Sequence, residues 1–301
     1  MTTLVISVIV ILVCVFCAGL IAEALRIAPK TPEQLYGVPE IPIRYFDFDG
    51  NRIRYVRTGS GPNLVLLHTL GTQLDIFEKL VPLVEKSFTV YALDYPGHGF
   101  SAIPQADYRP ELFVETVEGF LNELDLSDVA FAGISIGVIP LIIAAKKNKR
   151  IRKVIAINPY DYGRGTGLAR ANAAAGLIFT CQGAGAGEMV MRLRNLALEN
   201  RILLGGVADP NALTPGFYAL TYASGLRPGH YHAFLNLIRP SDWPRSSSAS
   251  RDRPQAEHDP PPSTQNLAQC GWQSLTAPEA NMPPSARAAS ARVAPISKSG
   301  S

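Results

Sequence analysis

The chain has 301 residues, of which 47% are hydrophobic and 18% are charged. This is the composition of a globular protein, so a wholly disordered or fibrous chain is excluded. The net charge of +3 is too small to indicate nucleic-acid binding, and the four cysteines do not have the spacing of a disulfide scaffold or a metal site. We therefore expect no nucleic-acid partner, no metal and no cofactor. The sequence makes no prediction of oligomeric state.

The chain begins with an apolar segment long enough to cross a bilayer. Residues 4–22 are 19 almost uniformly apolar residues, and as a helix they would reach ~28 Å. We predict a transmembrane anchor at residues 1–24. Arg26, Lys30 and Arg44 follow it, so the positive-inside bias predicts a single-pass membrane protein with its folded domain in the cytoplasm. A cleaved signal peptide is the alternative, because Ala22-Glu23-Ala24 resembles a cleavage site.

The next part of the chain alternates predicted strands and helices. A hairpin is predicted where residues 44–48 and 52–57 alternate apolar and polar positions around an Asp-Gly-Asn turn. Short continuous apolar runs predict strands buried on both faces at residues 63–67, 88–93, 129–132 and 153–157. Helical patterns lie between them at residues 74–85, 110–124 and 136–147. This order predicts an α/β fold whose mostly parallel sheet is covered by helices on both faces.

The second half of the chain contains a helical region without predicted strands, followed by a low-complexity tail. Residues 168–204 and 215–238 have helical patterns without a strand, which predicts a helical cap at about 163–228 within a folded domain at 40–239. Residues 240–301 contain ten Pro, twelve Ser and only four residues from Leu, Ile, Val and Phe, which predicts a disordered low-complexity tail. A frame-shifted or misassembled 3′ end of the coding sequence would also produce this abrupt change, so that interpretation stays open.

One motif carries a prediction of chemistry. Residues 133–137 read G-x-S-x-G, and they stand between a short buried strand and a helical segment. This is the context of a nucleophile elbow, a tight turn that exposes the serine Oγ at the end of a strand. The flanking positions need glycine because a side chain would block the close approach of the backbone. Ser135 is therefore the predicted nucleophile.

Two further segments accompany the elbow, and together they indicate a family. His68-Thr69-Leu70-Gly71 follows one strand, and residues 94–101 (DYPGHGFS) follow the next. The three segments in this order resemble the α/β-hydrolase superfamily over residues 40–239. The resemblance implies that the backbone N–H groups of Leu70 and Ile136 form an oxyanion hole, with Thr69 in place of the usual glycine.

The resemblance also implies a reaction and structural roles for two histidines. A serine nucleophile implies an ester, lactone or related acyl substrate, and it argues against haloalkane or epoxide chemistry, which in this superfamily uses aspartate. His98 would be a buried loop residue, and His68 would order the oxyanion loop.

The rest of a catalytic triad is not recognisable. The superfamily places its acid and its histidine after the seventh and eighth strands, which here should follow residue 239. No matching pattern occurs there, and the strand at 153–157 should then form an exposed sheet edge. Asp161 is the candidate acid and His258 the candidate base, whereas His230 and His232 are interpreted as exposed helix histidines.

Two hypotheses follow. The first is a membrane-anchored serine hydrolase that acts on a small acyl substrate. The second is a catalytically defective or non-catalytic protein of the same fold that binds an apolar ligand.

Overall fold

The computed structural model describes residues 2–69, 71–138, 144–145, 147–157, 186–192, 203–204 and 209–238. Seven strands of this part of the chain form one mixed sheet: β1 (Gln34–Leu35), β2 (Val38–Phe48), β3 (Asn51–Thr58), β4 (Asn63–Leu67), β5 (Thr89–Leu93), β6 (Val129–Ile134) and β7 (Ile151–Ile157). Their order is β1-β2-β3-β5-β4-β6-β7. The first three strands pair antiparallel, and β5, β4, β6 and β7 are parallel. The carboxyl ends of the parallel strands therefore meet at one edge of the sheet.

Six α-helices are described: α1 (Thr2–Ala24), α2 (Val81–Val84), α3 (Pro110–Glu123), α4 (Ala186–Arg192), α5 (Pro215–Gly225) and α6 (His230–Ile238). Helix α3 shows why the sequence folds as it does. Pro110 opens the helix, where its missing N–H is not needed. Phe113, Val117 and Phe120 then repeat at helical spacing and are buried. The ring of Phe120 lies 5.4 Å from that of Tyr55 on β3, which fixes α3 against one face of the sheet.

Both faces of the sheet are covered, as the continuous apolar runs predict. Along β4, Val65 and Leu67 belong to the hydrophobic core that contains α3. The alternating residues Leu64 and Leu66 belong to a second core on the opposite face. A strand that is buried on both faces needs apolar residues at every position, so the α/β prediction is confirmed.

Two predicted helices differ from the structure. Instead of one helix at 74–85, the chain forms a 3₁₀ turn at Leu74–Phe77 and the short helix α2. Pro82, in the first turn of α2, has no N–H to continue a helix from the preceding turn. The predicted helix at 136–147 begins instead with a 3₁₀ turn at Ser135–Gly137, and the other residues of this range that the structure describes, 138, 144–145 and 147, are helical. The tail at 240–301 and much of the predicted cap lie outside the described residues.

Strand β7 ends the sheet within the described part of the chain. Its residues Ile155 and Ile157 are 39% and 38% exposed. Both apolar side chains are thus partly accessible to solvent at the last strand of the described sheet.

Helix α1 contains the apolar segment. Within Thr3–Ala24, the most apolar window of 18 residues has a mean hydropathy of 3.3 and is only 6% buried, so by length and composition the helix could cross a membrane. Near its end, Arg26 pairs with Glu23 at 2.8 Å and donates a hydrogen bond of 2.7 Å to the carbonyl of Arg192 in α4. The segment after the apolar helix is therefore attached to α4.

A buried ion-pair network ties together the loops at the carboxyl edge. The fully buried guanidinium of Arg54 on β3 lies 2.7 Å from Asp75 and 3.2 Å from Asp94. Asp94 also accepts hydrogen bonds from the N–H groups of Leu74 (2.6 Å) and Phe100 (2.9 Å). Burial opposes the charge on Arg54, but Asp94 and Asp75 outweigh it and raise the arginine pKa. The network joins β3 to the segments that follow β4 and β5.

Two buried histidines lie beside this network, with ring centres 5.2 Å apart. His68 Nε2 accepts a hydrogen bond from the N–H of Tyr95 at 3.1 Å, so its Nδ1 holds the proton and donates to the carbonyl of Thr69 at 2.8 Å. His98 Nδ1 lies 3.1 Å from the carbonyl of Pro96. Burial lowers the pKa of His68 to about 4 and that of His98 to about 3. Both side chains are therefore neutral near pH 7.

We predict that Arg54→Met destabilises the protein by about 3–5 kcal/mol, because it leaves Asp75 and Asp94 buried without their cation. The control is Arg152→Met, which removes an exposed pair with Asp128 and should cost less than about 1 kcal/mol. Chemical denaturation of the full chain measures both. Equal effects of the two substitutions would contradict the assigned role of Arg54.

The buried histidines predict acid destabilisation. Below pH ~6.5 the unfolded chain takes up protons that folded His68 and His98 do not bind, so stability falls with pH until the folded pKa values near 4 and 3 are reached. Each histidine should contribute a slope of about 1.4 kcal/mol per pH unit. Denaturation at a series of pH values should show this slope, reduced by about half in His98→Asn. Equal slopes in the two proteins would refute this explanation.

Candidate active site

Ser135 lies at the turn that the motif predicts. It directly follows β6 and opens the 3₁₀ turn Ser135–Gly137. Its φ of +53° is in the left-handed region, which a residue with a side chain rarely adopts. Such strain persists only where the surroundings fix the backbone, and it often marks functional sites. The serine is half-buried at the carboxyl edge of the sheet.

The glycine after the serine permits a close approach between two strand ends. A β-carbon on Gly137 would overlap the carbonyl oxygen of His68, which follows β4. The hydroxyl of Tyr95 donates a hydrogen bond of 3.2 Å to the carbonyl of Gly137. The elbow is thus held against the segments after β4 and β5, as the glycine requirement in G-x-S-x-G predicts.

The segment after β4 is ordered by its own hydrogen bonds. The carbonyl of Thr69 accepts from the N–H of Thr72 at 3.2 Å, from its hydroxyl at 2.9 Å and from the ring of His68. Of the two predicted oxyanion donors, Ile136 lies in the elbow turn, and Leu70 lies outside the described residues. The geometry of the oxyanion hole therefore remains a prediction.

Helix α6 packs over this edge. Gly71, next to the predicted oxyanion donor, has φ +71°, and a β-carbon there would lie 3.7 Å from the ring of Phe234. On the same helix, Ala233 packs against Gly97, where any side chain would also clash with the ring of Tyr108. The sequence indicated a helix here but not that Phe234 would contact the oxyanion segment.

The described histidines do not provide an obvious general base. Both ring nitrogens of His68 are hydrogen-bonded to the backbone, and His98 is enclosed between Pro96 and aromatic rings. Burial in the structure agrees with the loop roles that the resemblance implies for both. His232 is exposed, as predicted.

The prediction for His230 was wrong. It is only 9% exposed, because the turn before α6 packs against the domain, with Gly229 next to Ile103. The candidate acid Asp161 and the candidate base His258 both lie outside the described residues.

Arg54 and Asp75 were not predicted from the sequence as part of this edge. They contact each other across 21 positions of sequence, and Arg54 reaches Asp94 across 40. No motif spacing links them, because the contact depends on the pairing of β3 with β5. The sequence signal that could have identified Arg54 is its position in a strand between the apolar residues Ile53 and Tyr55.

No cofactor or metal site is evident in the described part of the chain. There, no three His, Cys, Asp or Glu side chains come together as a possible metal site. A cavity of about 280 Å³ lies between the segment around β1 and Leu220 of α5, and Ser135 does not line it.

Comparison with known proteins agrees with this architecture. The chain is 33% identical over 124 residues to a dihydrolipoyllysine-residue acetyltransferase component of the acetoin cleaving system from Cupriavidus necator, covering 40% of this chain and 33% of that protein. It is 30% identical over 105 residues to 2-(acetamidomethylene)succinate hydrolase from Mesorhizobium japonicum, covering 35% and 38%. The matched region thus spans little more than a third of these curated relatives.

A solved structure shows the same fold. Haloalkane dehalogenase DbeA from Bradyrhizobium elkani superposes with a TM-score of 0.60 at 22% identity, covering 68% of this chain and 74% of that chain. The family model described as "alpha/beta hydrolase fold" matches residues 62–255, more than half of the chain. The mixed sheet, the serine turn after β6 and this match together show that the chain belongs to the α/β-hydrolase fold family.

Proposed function

We propose that this protein is a serine hydrolase of small acyl substrates, with Ser135 as its nucleophile. The observation that carries the proposal is the left-handed φ of +53° at Ser135, in a tight turn at the carboxyl end of β6. That backbone conformation presents a side chain at the edge of the sheet where ligands of α/β proteins bind.

In the proposed reaction, Ser135 Oγ attacks the substrate carbonyl carbon and its proton passes to a general base. The N–H groups of Leu70 and Ile136 stabilise the negative charge that develops on the carbonyl oxygen. The alcohol or amine leaves with a proton, and water then releases the acid from the acyl-enzyme. The acetamido group in the name of the Mesorhizobium relative's substrate supports acyl chemistry.

We propose Asp161 as the acid and His258 as the base, because the buried His68 and His98 are unsuitable as a general base. The hydrogen bonds of His68 and His98 hold both rings in place as neutral groups with strongly lowered pKa values. The same observation favours a second candidate function, a catalytically defective or non-catalytic protein of this fold that binds an apolar ligand.

We also propose that α1 anchors the protein in a membrane. At ~1.5 Å per residue its 22 residues Thr3–Ala24 would extend ~33 Å, enough to cross a hydrocarbon core. Its apolar side chains are mostly exposed, as in a helix surrounded by lipid and unlike a core helix. The cationic residues after it favour a single span with the hydrolase domain in the cytoplasm.

A fluorophosphonate probe tests the nucleophile. The folded protein should be labelled covalently at Ser135, and Ser135→Ala should lose the label. Ser127→Ala, at an exposed position just before β6, is the matched control and should retain it. A label that persists in Ser135→Ala, or that never forms on folded protein, would rule out this nucleophile.

Turnover then separates the two candidate functions. Hydrolysis of p-nitrophenyl acetate that depends on Ser135 and falls about 10²–10⁴-fold in His258→Asn would support the hydrolase and its assigned base. Labelling without Ser135-dependent turnover would favour the binding protein.

Membrane anchoring predicts that the full chain stays in the membrane pellet after an alkaline carbonate wash. A variant that starts at residue 25 should move to the supernatant, because it lacks the apolar helix. Recovery of the full chain in the supernatant would contradict the anchor.

A further inference from the structure

Arg227 has an unusual environment in the connection between α5 and α6. Its guanidinium lies 5.8 Å from the centre of the Phe100 ring. Its Nε and Nη2 atoms are buried, and neither has a hydrogen-bond partner among the residues that the structure describes. Burial lowers the pKa of Arg227 to about 10. Removing a cation from water without a partner is costly, so this position is not explained by the stability of the fold.

The two unpartnered nitrogens form one edge of the guanidinium. The Nε–H and one Nη2–H bond point in the same direction, with a spacing that matches the two oxygens of a carboxylate. An arginine that presents this edge without a protein acceptor is suited to a planar anion.

The nearby acidic and polar groups are engaged elsewhere. Asp94 raises the Arg227 pKa by its charge, but its oxygens accept from Arg54, Leu74 and Phe100. The Tyr108 hydroxyl donates to the carbonyl of Pro104 at 2.8 Å. The positive charge of Arg54 repels that of Arg227 and lowers the Arg227 pKa. The anion that would pair with the Nε and Nη2 edge must therefore come from outside these groups.

The guanidinium of Arg227 lies beside Phe100, in the segment that follows β5 at the carboxyl edge of the sheet. It is close enough to His98 for its charge to lower the pKa of that ring. The His98 ring contacts that of His68, and the His68 carbonyl adjoins the elbow at Gly137. As a whole residue Arg227 is only half-buried, and binding of a ligand at the buried Nε and Nη2 edge requires the side chain to move toward solvent.

We propose that Arg227 binds the carboxylate of a small-molecule ligand through its Nε and Nη2 edge, with the Phe100 ring beside the guanidinium. The binding does not require Ser135. If the ligand is the substrate, which rests on the proposed function above, the acyl compound cleaved at Ser135 carries a carboxylate away from the scissile bond.

The test measures thermal unfolding of the full chain in detergent, with sodium succinate as the probe and sodium chloride at matched ionic strength as the reference. Succinate should raise the unfolding temperature of the wild type by about 2–4 °C near ten times its Kd. Succinate should not raise the unfolding temperature of Arg227→Met. It should raise that of Arg227→Lys by less than that of the wild type, because lysine keeps the charge but not the paired Nε and Nη2 edge. Arg152→Gln, at an exposed arginine, should respond like the wild type.

Without succinate, Arg227→Met should unfold at the same temperature as the wild type or higher, because it removes a buried guanidinium whose Nε and Nη2 atoms have no acceptor among the described residues. A marked loss of stability would show a structural role and overturn the proposal. A missing succinate response in the wild type would also overturn the proposal. An undiminished succinate response in Arg227→Met would overturn it as well. Stabilisation by sodium phosphate alone, dependent on Arg227, would overturn the assignment to a carboxylate.

Two further measurements separate this proposal from the proposed function. Ser135→Ala should keep the succinate response, and loss of the response there would contradict a site independent of the nucleophile. With a succinate monoester as substrate, Arg227→Gln should raise KM at least tenfold with little change in kcat, whereas the matched uncharged diester should be unaffected. If neither ester is hydrolysed but succinate binding depends on Arg227, the hydrolase proposal fails and the binding site stands.

Discussion

The ion pairs of Arg54 are the interaction on which the arrangement of the carboxyl edge depends. One fully buried guanidinium contacts Asp75 and Asp94, and Asp94 holds two backbone N–H groups in addition. Breaking a buried pair leaves an uncompensated charge, so these contacts define one arrangement of the segments after β4 and β5. A polar network of this kind specifies a structure when all of its charged members are paired.

The strained serine is supported by the structure around that network. Gly137 adjoins the carbonyl of His68, whose ring accepts from Tyr95 in the segment that Asp94 opens. The elbow, the oxyanion segment and the loop after β5 therefore support one another through direct contacts. The left-handed backbone of Ser135 is kept at the end of β6 because its neighbours on both sides are fixed.

The sequence predicted the features that repeat locally. The continuous apolar run at Asn63–Leu67 indicated a strand buried on both faces, and the spacing of Phe113, Val117 and Phe120 indicated α3. The G-x-S-x-G motif located Ser135. Contacts between distant segments, such as Arg54 with Asp75, left no periodic signal because they depend on strand pairing. Burial of His230 was missed for the same reason. The role of Leu70 stays a prediction from the family resemblance, and Asp161 and His258 stay candidates for the acid and the base.

Amide hydrogen exchange tests most directly whether the buried network fixes the carboxyl edge. The N–H groups of Leu74 and Phe100 donate to Asp94 from segments that are neither strand nor long helix. If the network holds these segments, both amides should exchange as slowly as the central amides of β4 and β5, through global unfolding alone. Exchange at Leu74 and Phe100 that is orders of magnitude faster than in those strands would contradict the account.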